Sequence, residues 1–221
     1  MDQGKVMNNR SSELSLMRYT IFDIPILQHV LQGLSILFLK IFGWSREGKL
    51  PDIPKYVMVA APHTSNWDFP IAMAIMFSFK MKPSWLGKES LFRWPFSGFF
   101  KFLGGIPINR SQSGDVVAQS IQAFKDRVKM VMVIAPEGTR KKVMHWKTGF
   151  YYIAQGANVP IVLAFLDYFR KAGGFGPTLI QTSNIEIDMK TIRDFYEKIT
   201  AKIPDQSTPA TTTALKGKER G

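Results

Sequence analysis

The 221-residue sequence predicts one α/β domain, a mostly parallel or mixed sheet with flanking helices, preceded by an N-terminal amphipathic, membrane-associating helix. Three observations predict it. Short β-rich runs at Tyr56–Ala60, Met130–Ala135 and Val159–Leu166 alternate with segments of helical length. Two of the runs end in polar turns, residues 63–68 and 136–140, and open α/β sheets place their sites at such carboxyl ends. The length suits one domain with a sizeable core.

Residues 1–20 are polar and do not resemble a signal peptide. The apolar stretch Ile21–Trp44 follows, interrupted by Asp23, Pro25, Gln28, His29, Gln32 and Lys40. Its dense part, Val30–Phe42, falls short of the ~20 apolar residues a spanning helix needs. It suits a helix lying in a membrane interface, with Trp44 and Arg46 near the headgroups, and equally a buried core helix. His29 reads as a residue of its polar face.

Gly48–Pro54 is a turn-rich connector, and Lys55–Ala61 is the first expected strand. Phe69–Phe79 is apolar nearly all round, so it reads as a buried or membrane-facing helix in which Met73, Met76 and Phe77 pack. Ser84–Gly87 is a second strand. The aromatic segment Trp94–Phe102 and a short strand in Gly104–Arg110 come next. Ser113–Arg127 repeats Val116, Val117, Ser120, Ile121 and Phe124 at helical spacing. Met130–Ala135 is β-branched, as a strand covered on both faces should be. A helix over Thr148–Gly156, a strand over Val159–Leu166, an extended run over Pro177–Ile187 and a charged helix over Asp188–Ile203 complete the expected order. Three regions result: residues 1–47 as polar segment and membrane-associating helix, 48–203 as the main domain, and 204–221 as a disordered basic tail rich in Thr, Lys, Gly and Pro.

Composition narrows the functions. Cysteine is absent, which excludes disulfides, thiolate nucleophiles and cysteine-ligated zinc. The 29 basic residues outnumber the 17 acidic ones, and the sequence pI is near 9.9. Such a surface attracts anionic lipid, nucleic acid or phosphorylated substrates. The 17 Phe and 5 Trp suit a membrane surface. No Gly-Lys pair is followed by Ser or Thr, so a nucleotide-phosphate loop is not indicated, and no His-Glu-x-x-His suggests a zinc site.

The densest chemistry lies in His63-Thr64-Ser65-Asn66-Trp67-Asp68. A histidine with a carboxylate partner acts as a general base, because the carboxylate fixes the tautomer and stabilises the imidazolium. At this spacing Asp68 also suits the cap of the following helix, and His63 an ordinary turn residue. The second turn, Pro136-Glu137-Gly138-Thr139-Arg140, carries a glycine that permits close backbone approach to a ligand.

These residues resemble the glycerolipid acyltransferases, the family of the 1-acylglycerol-3-phosphate acyltransferases. His63 to Asp68 is similar to that family's His-x4-Asp motif, and residues 136–140 match its Pro-Glu-Gly-Thr-Arg block at every position. Between them, Lys88-Glu89 with Leu91, Pro95, Phe96 and Gly98, then Gly105 to Arg110, and finally Val159-Pro160-Ile161-Val162, look like further blocks in family order. Two positions depart from the pattern: Pro62 stands where Asn is more common, and Lys141 where Ser is frequent.

The resemblance implies an enzyme that moves a fatty acyl group from acyl-CoA or acyl-carrier protein, as co-substrate, to a hydroxyl of a lysophospholipid-like acceptor, without cofactor or metal. With no Cys and no Gly-x-Ser-x-Gly elbow, the nucleophile would be the acceptor's own hydroxyl, deprotonated by His63 with Asp68 orienting it. Lys88, Arg110 and Arg140 would hold phosphate, although each also suits solvated surface charge, the reading preferred for Lys141 and Lys142. Glu137, Gly138 and Thr139 would line the substrate site, Glu137 by tying the turn together, Thr139 by a substrate hydrogen bond or as a helix cap. His145 reads as structural. The implied partners are the thioester donor, the lysolipid acceptor, an anionic membrane surface and acyl carrier protein, with no nucleic acid, and the implied place is the cytoplasmic face of the cell membrane. Two readings compete: a transacylase or an acyltransferase acting on a non-glycerophosphate lysolipid, and a non-catalytic basic protein that binds anionic membrane or nucleic acid.

Overall fold

Val57 and Val59 are buried on one face of strand β2 (Lys55–Ala60), and Tyr56 and Met58 on the other. Alternation with apolar residues on both faces is what a strand covered by helices on both sides requires. The structure, a computed structural model, describes residues 20–108 and 113–211. Its sheet has seven strands in the order β1-β7-β6-β2-β5-β3-β4. Besides β2 these are β1 (Ser45–Glu47), β3 (Pro83–Lys88), β4 (Gly105–Ile108), β5 (Met130–Ile134), β6 (Ile161–Asp167) and β7 (Ala172–Leu179). Only the β6–β7 pairing is antiparallel, so the sheet is mixed. Strands β2, β3, β4, β5 and β6 run parallel, and their carboxyl ends share one edge.

Helices α1 (Pro25–Ile41) and α2 (Asp68–Ser78) cover one face, where Leu39, Trp44, Ile71, Ile75 and Leu166 pack together. The larger core lies on the other face. There α4 (Ser113–Lys125), α5 (Gly149–Ala157) and α6 (Ile185–Tyr196) bring Phe124, Phe150, Tyr151, Met189 and Ile192 against β2 and β6. The short helix α3 (Ser97–Phe102) belongs to the connection between β3 and β4.

Several expectations change. Strand β1 pairs with β7, so residues 45–47 belong to the sheet and a division after residue 47 separates paired strands. The run expected to be extended to Ile187 ends as a strand at Leu179. The helix after it starts at Ile185, because the Asn184 side chain accepts from the N–H groups of Glu186 and Ile187. That helix stops at Tyr196, not Ile203, and the chain turns so that Thr200 can accept from the Tyr168 N–H.

Residues 204–211 are folded, against the expectation of a disordered tail from Pro204. Thr208 and Ala210 are buried, the Thr208 carbonyl accepts from Trp146 Nε1, and its hydroxyl accepts from the Val143 N–H. A threonine-rich segment is soluble by composition but can satisfy a buried indole. The rest of the expected tail, 212–221, lies outside the described residues, as does 1–19.

Gln28 and Gln32, which break the apolar pattern of α1, face inward. Their amides donate to the carbonyls of Lys80 and Ser78 at the end of α2, at 3.3 and 3.1 Å. The residues turned out are Ile26, Val30, Leu34, Leu37 and Ile41. No described helix is long and apolar enough to cross a membrane.

Candidate active site

The segment from Ala61 to Asp68 leaves the carboxyl end of β2 and enters α2. Asp68 is the first residue of that helix and 4 % exposed. Its Oδ2 accepts from the N–H groups of Thr64 and Ser65, each at 2.8 Å, and lies 3.0 Å from His63 Nδ1. Its Oδ1 accepts from the Tyr168 hydroxyl at 2.7 Å. Burial opposes the charge of Asp68, but the hydrogen bonds from His63, Tyr168 and Ser65 outweigh it and hold the carboxyl below its ordinary range. Asp68 is therefore not the cap of α2, whose N-cap residue Trp67 makes no side-chain cap bond: its carboxylate closes the preceding turn and faces the imidazole. The His63 ring is partly exposed, and its Nε2 has no hydrogen-bond partner among the described residues.

Glu137 follows the carboxyl end of β5, the strand beside β2, and is 3 % exposed. Its Oε1 accepts from the His63 N–H at 3.0 Å, so the second motif holds the backbone of the first. Its Oε2 is buried with no partner among the described residues. Burial pushes the carboxyl up to about 7, against the lowering effect of the His63 N–H bond. Tyr196 lies deeper. Its hydroxyl donates to the carbonyls of Val59 and Ala164, and burial together with the Glu137 charge raises it well above its ordinary value.

Gly138 has φ +66, the conformation that favours glycine, and a Cβ there would also press on the flexible end of the Lys147 side chain at 3.2 Å. The Thr139 hydroxyl accepts from the Lys141 N–H, a tie within its own turn rather than a cap on the following helix. Arg140 donates from one guanidinium nitrogen to the Asn66 side-chain oxygen, which joins the two motif turns a second time. A guanidinium has five N–H donors, so this contact leaves others for an anion. Of the remaining expected residues, Lys88 ends β3 at the same edge, and Arg110 lies outside the described residues. His145 has a buried Nδ1 without a described partner and takes no part in the site. Among the described residues no three His, Cys, Asp or Glu side chains gather as a metal site would require.

Residues from beyond the motifs complete the arrangement. Tyr168 follows β6, the other neighbour of β2, and its carboxyl-end position is the same signal that marks the two motif turns. The Ile203 N–H donates to the Thr64 hydroxyl at 3.2 Å. The Lys202 ammonium sits 5.1 Å from the centre of the Trp67 ring and 5.6 Å from that of Tyr168. The C-terminal segment thus crosses the dyad turn before Thr208 reaches Val143 and Trp146.

This geometry is a partly exposed imidazole, oriented by a buried carboxylate, on a turn that is tied at four points: to Glu137, Arg140, Tyr168 and Ile203. It can take a proton from a hydroxyl brought to Nε2. A family model described as Acyltransferase matches residues 46–164, more than half of the chain. A solved structure, the 1-acyl-sn-glycerophosphate (LPA) acyltransferase PlsC from Thermotoga maritima, is similar over 80% of this chain and 81% of its own, with TM-score 0.54 and 14% identity. A likeness at that identity is one of fold. No curated protein matches the chain.

Proposed function

Because this chain belongs to the acyltransferase family, we propose that it transfers a fatty acyl group from a thioester, acyl-CoA or acyl-carrier protein, to a hydroxyl of a lysophospholipid-like acceptor. The observation that carries this reading is the His63 Nε2, without a partner among the described residues and opposite the Asp68 contact. His63 Nε2 takes the proton of the acceptor hydroxyl as its oxygen attacks the thioester carbonyl. The new carbon–oxygen bond forms, and the carbon–sulfur bond then breaks. The thiolate leaves readily, since a thiol has a pKa of about 8.5, and it recovers the proton from the imidazolium. The Asp68 carboxylate stabilises the positive charge of that imidazolium and keeps the proton on Nδ1, so that Nε2 is the basic nitrogen.

In this reading Arg140 receives the acidic headgroup of the acceptor, with Lys88 and Arg110 as further cations. The membrane reading draws support from α1, whose polar residues hold it to α2 while its outer face is aliphatic. A helix held to the protein partly through Gln28 and Gln32, with aliphatic side chains along its outer face, suits a peripheral position on an anionic leaflet.

The test is His63→Ala, assayed in detergent with radiolabelled acyl-CoA and acyl-carrier protein against a panel of lysolipids. Loss of transfer by a factor on the order of 10² to 10⁴ is expected, with donor binding retained. Turnover close to that of the parent in the folded variant would remove His63 from the chemistry.

A further inference from the structure

After α6 the chain runs along the connections that follow β2, β5 and β6. The Thr200 carbonyl accepts from the Tyr168 N–H at 2.9 Å, in the turn after β6. The Lys202 ammonium lies over the rings of Trp67 and Tyr168, so one cation bridges the residue before Asp68 and the tyrosine that bonds it. The Ile203 N–H then meets the Thr64 hydroxyl at 3.2 Å. A single 3-10 turn, Pro204–Gln206, comes next. Beyond it the Thr208 hydroxyl accepts from the Val143 N–H and its carbonyl from Trp146 Nε1, each at 3.0 Å. The Thr211 carbonyl accepts from the Trp146 N–H at 2.9 Å. Val143 and Trp146 stand between the 136–140 turn and α5. Residues 200–211 contribute no strand to the sheet, yet Ala201, Thr208 and Ala210 are buried.

Thr64 is the point at which this segment reaches the dyad. It follows His63 in the chain and is 3 % exposed. Its N–H and His63 Nδ1 both meet Asp68 Oδ2, at 2.8 and 3.0 Å. A displacement of the Thr64 backbone therefore draws the carboxylate from the imidazole or breaks the N–H contact. A threonine side chain is short and stiff at χ1, so a fixed hydroxyl fixes the backbone that carries it. The neighbours Asn66 and Trp67 are exposed, and a surface turn without such a fixture opens locally at little cost. The donor is itself held on both sides: before Ile203 on the turn after β6, and after it on the loop that follows the 136–140 turn. The frame that presents the Ile203 N–H thus hangs from β5 and β6, the two strands paired with β2.

We propose that Thr64 is a positioning residue for the transfer, and that residues 200–211 form a strap which holds it. In this role Thr64 touches neither the moving proton nor the acyl group. It keeps Asp68 Oδ2 on Nδ1 of His63, and so keeps Nε2 as the basic nitrogen and aims it. The proposal rests on the acyl-transfer reading above and adds a requirement from outside the motifs: without the strap the dyad residues remain but their alignment does not. A shift on the order of 1 Å in a reacting group costs up to about 10² in rate, so a contact this close to His63 has a catalytic effect larger than its effect on stability.

The experiment compares Thr64→Val, which keeps the shape and removes the hydroxyl, with Thr64→Ser, which keeps the hydroxyl. Thr64→Val should lower kcat roughly tenfold at saturating donor and acceptor, with each KM within about twofold of the parent's. Thr64→Ser should recover most of that loss. Thr208→Val, at the far anchor, should lower kcat in the same direction without altering the dyad turn, and so should a chain ended after Lys202. Imidazole 15N shifts supply a second readout, with His63 assigned among the three histidines by its loss in His63→Gln. The parent's neutral His63 should be the Nδ1–H tautomer, and Thr64→Val should mix the two forms. Parent-like kcat in Thr64→Val, or an equal loss in Thr64→Ser, overturns the positioning role. So do variants whose melting temperature falls while kcat per folded chain and tautomer stay the same. Parent-like kcat and tautomer in Thr208→Val remove the strap, and that variant decides the matter if Thr64→Val or the shortened chain does not fold. If the parent transfers no acyl group, the acyl-transfer reading fails, and the tautomer signals still show whether residues 200–211 hold the ring.

Discussion

The Tyr168 hydroxyl donates to Asp68 Oδ1 at 2.7 Å, across 100 residues of chain, and so occupies the oxygen of the dyad carboxylate that His63 does not use. Tyr168 lies past the end of the family match at residue 164, and its ring packs edge-on against Trp44. Tyr168→Phe keeps the ring and removes the donor. A hydrogen bond to a charged group contributes roughly 1.5–3 kcal/mol, which converts to a fall in kcat of about 10- to 100-fold if the bond holds Asp68 in place for His63. KM for both substrates should stay the same. Unchanged kcat with a lowered melting temperature would leave Tyr168 a purely structural role.

Asp68→Asn is expected to be worse than the loss of one hydrogen bond. The carboxylate accepts at both oxygens, from two backbone N–H groups and His63 on one and from Tyr168 on the other. An amide must turn its NH2 toward one of those sets. Turned toward the backbone donors it breaks the turn, and turned toward Tyr168 it still loses the charge that stabilises the imidazolium. Steady-state assays should show kcat lower by about 10³ to 10⁴, with chemical denaturation showing about 1–3 kcal/mol less stability. A folded variant with more than a tenth of the parent's kcat would contradict the role of the carboxylate.

Local chemistry is legible in this sequence, and long-range closure is not. His63 to Asp68 spans six consecutive positions, and Glu137 lies in a turn whose place after a β-branched run marks it. Both can be read because strand alternation and the polarity of the following turn are properties of neighbouring residues. Tyr168 shares the strand-end signal but pairs with Asp68 only through the fold, and nothing in the neighbourhood of Ile203 marks its N–H as a partner of Thr64. The 204–211 segment shows the limit well: its composition describes a solvated tail, and only the fold brings the Trp146 indole to the Thr208 carbonyl and the Trp146 backbone N–H to that of Thr211. Gln28 and Gln32 mislead for a related reason. Amphipathicity predicts which residues differ from their neighbours but not which face meets protein, and here Gln28 and Gln32 meet it together with Phe38 and Leu39.

Glu137 should make stability depend on pH in a direction opposite to that of Asp68. Its folded value is about 7 against an ordinary 4.5. Below pH 4.5 the carboxyl is protonated in both states. Between 4.5 and 7 the unfolded chain loses the proton while the folded one keeps it, so folding is progressively disfavoured, by about 3 kcal/mol once both are ionised. Glu137→Gln retains an oxygen for the His63 N–H and removes the titration. Denaturant midpoints of parent and variant should therefore diverge in the variant's favour as pH rises from 4.5 to 8. Asp68, lowered when folded, contributes stability that is present above its ordinary value of 3.8 and lost as pH falls through the folded one, so it does not produce this divergence. A parent–variant difference that is flat across the range would mean that Glu137 is ionised throughout.

The outer face of α1 gives the last prediction. Leu34, Leu37 and Ile41 are 58 %, 54 % and 70 % exposed, whereas Phe38 turns inward toward the Leu39 and Trp44 cluster. Leu34→Ser/Leu37→Ser/Ile41→Ser should therefore leave the melting temperature in detergent within a few degrees of the parent, because surface substitutions usually change stability by no more than about 0.5 kcal/mol. Phe38→Ser should lower it, since deleting a large part of a packed aromatic side chain costs about 3 kcal/mol or more. If α1 rests on lipid, the triple variant loses affinity for anionic vesicles at every salt concentration, and the parent's own binding falls as salt screens its cations. Sedimentation with vesicles at low and high salt separates the two contributions. A triple variant that unfolds in detergent would show that this face is covered by protein, and one that sediments like the parent would show that α1 contributes nothing to membrane contact.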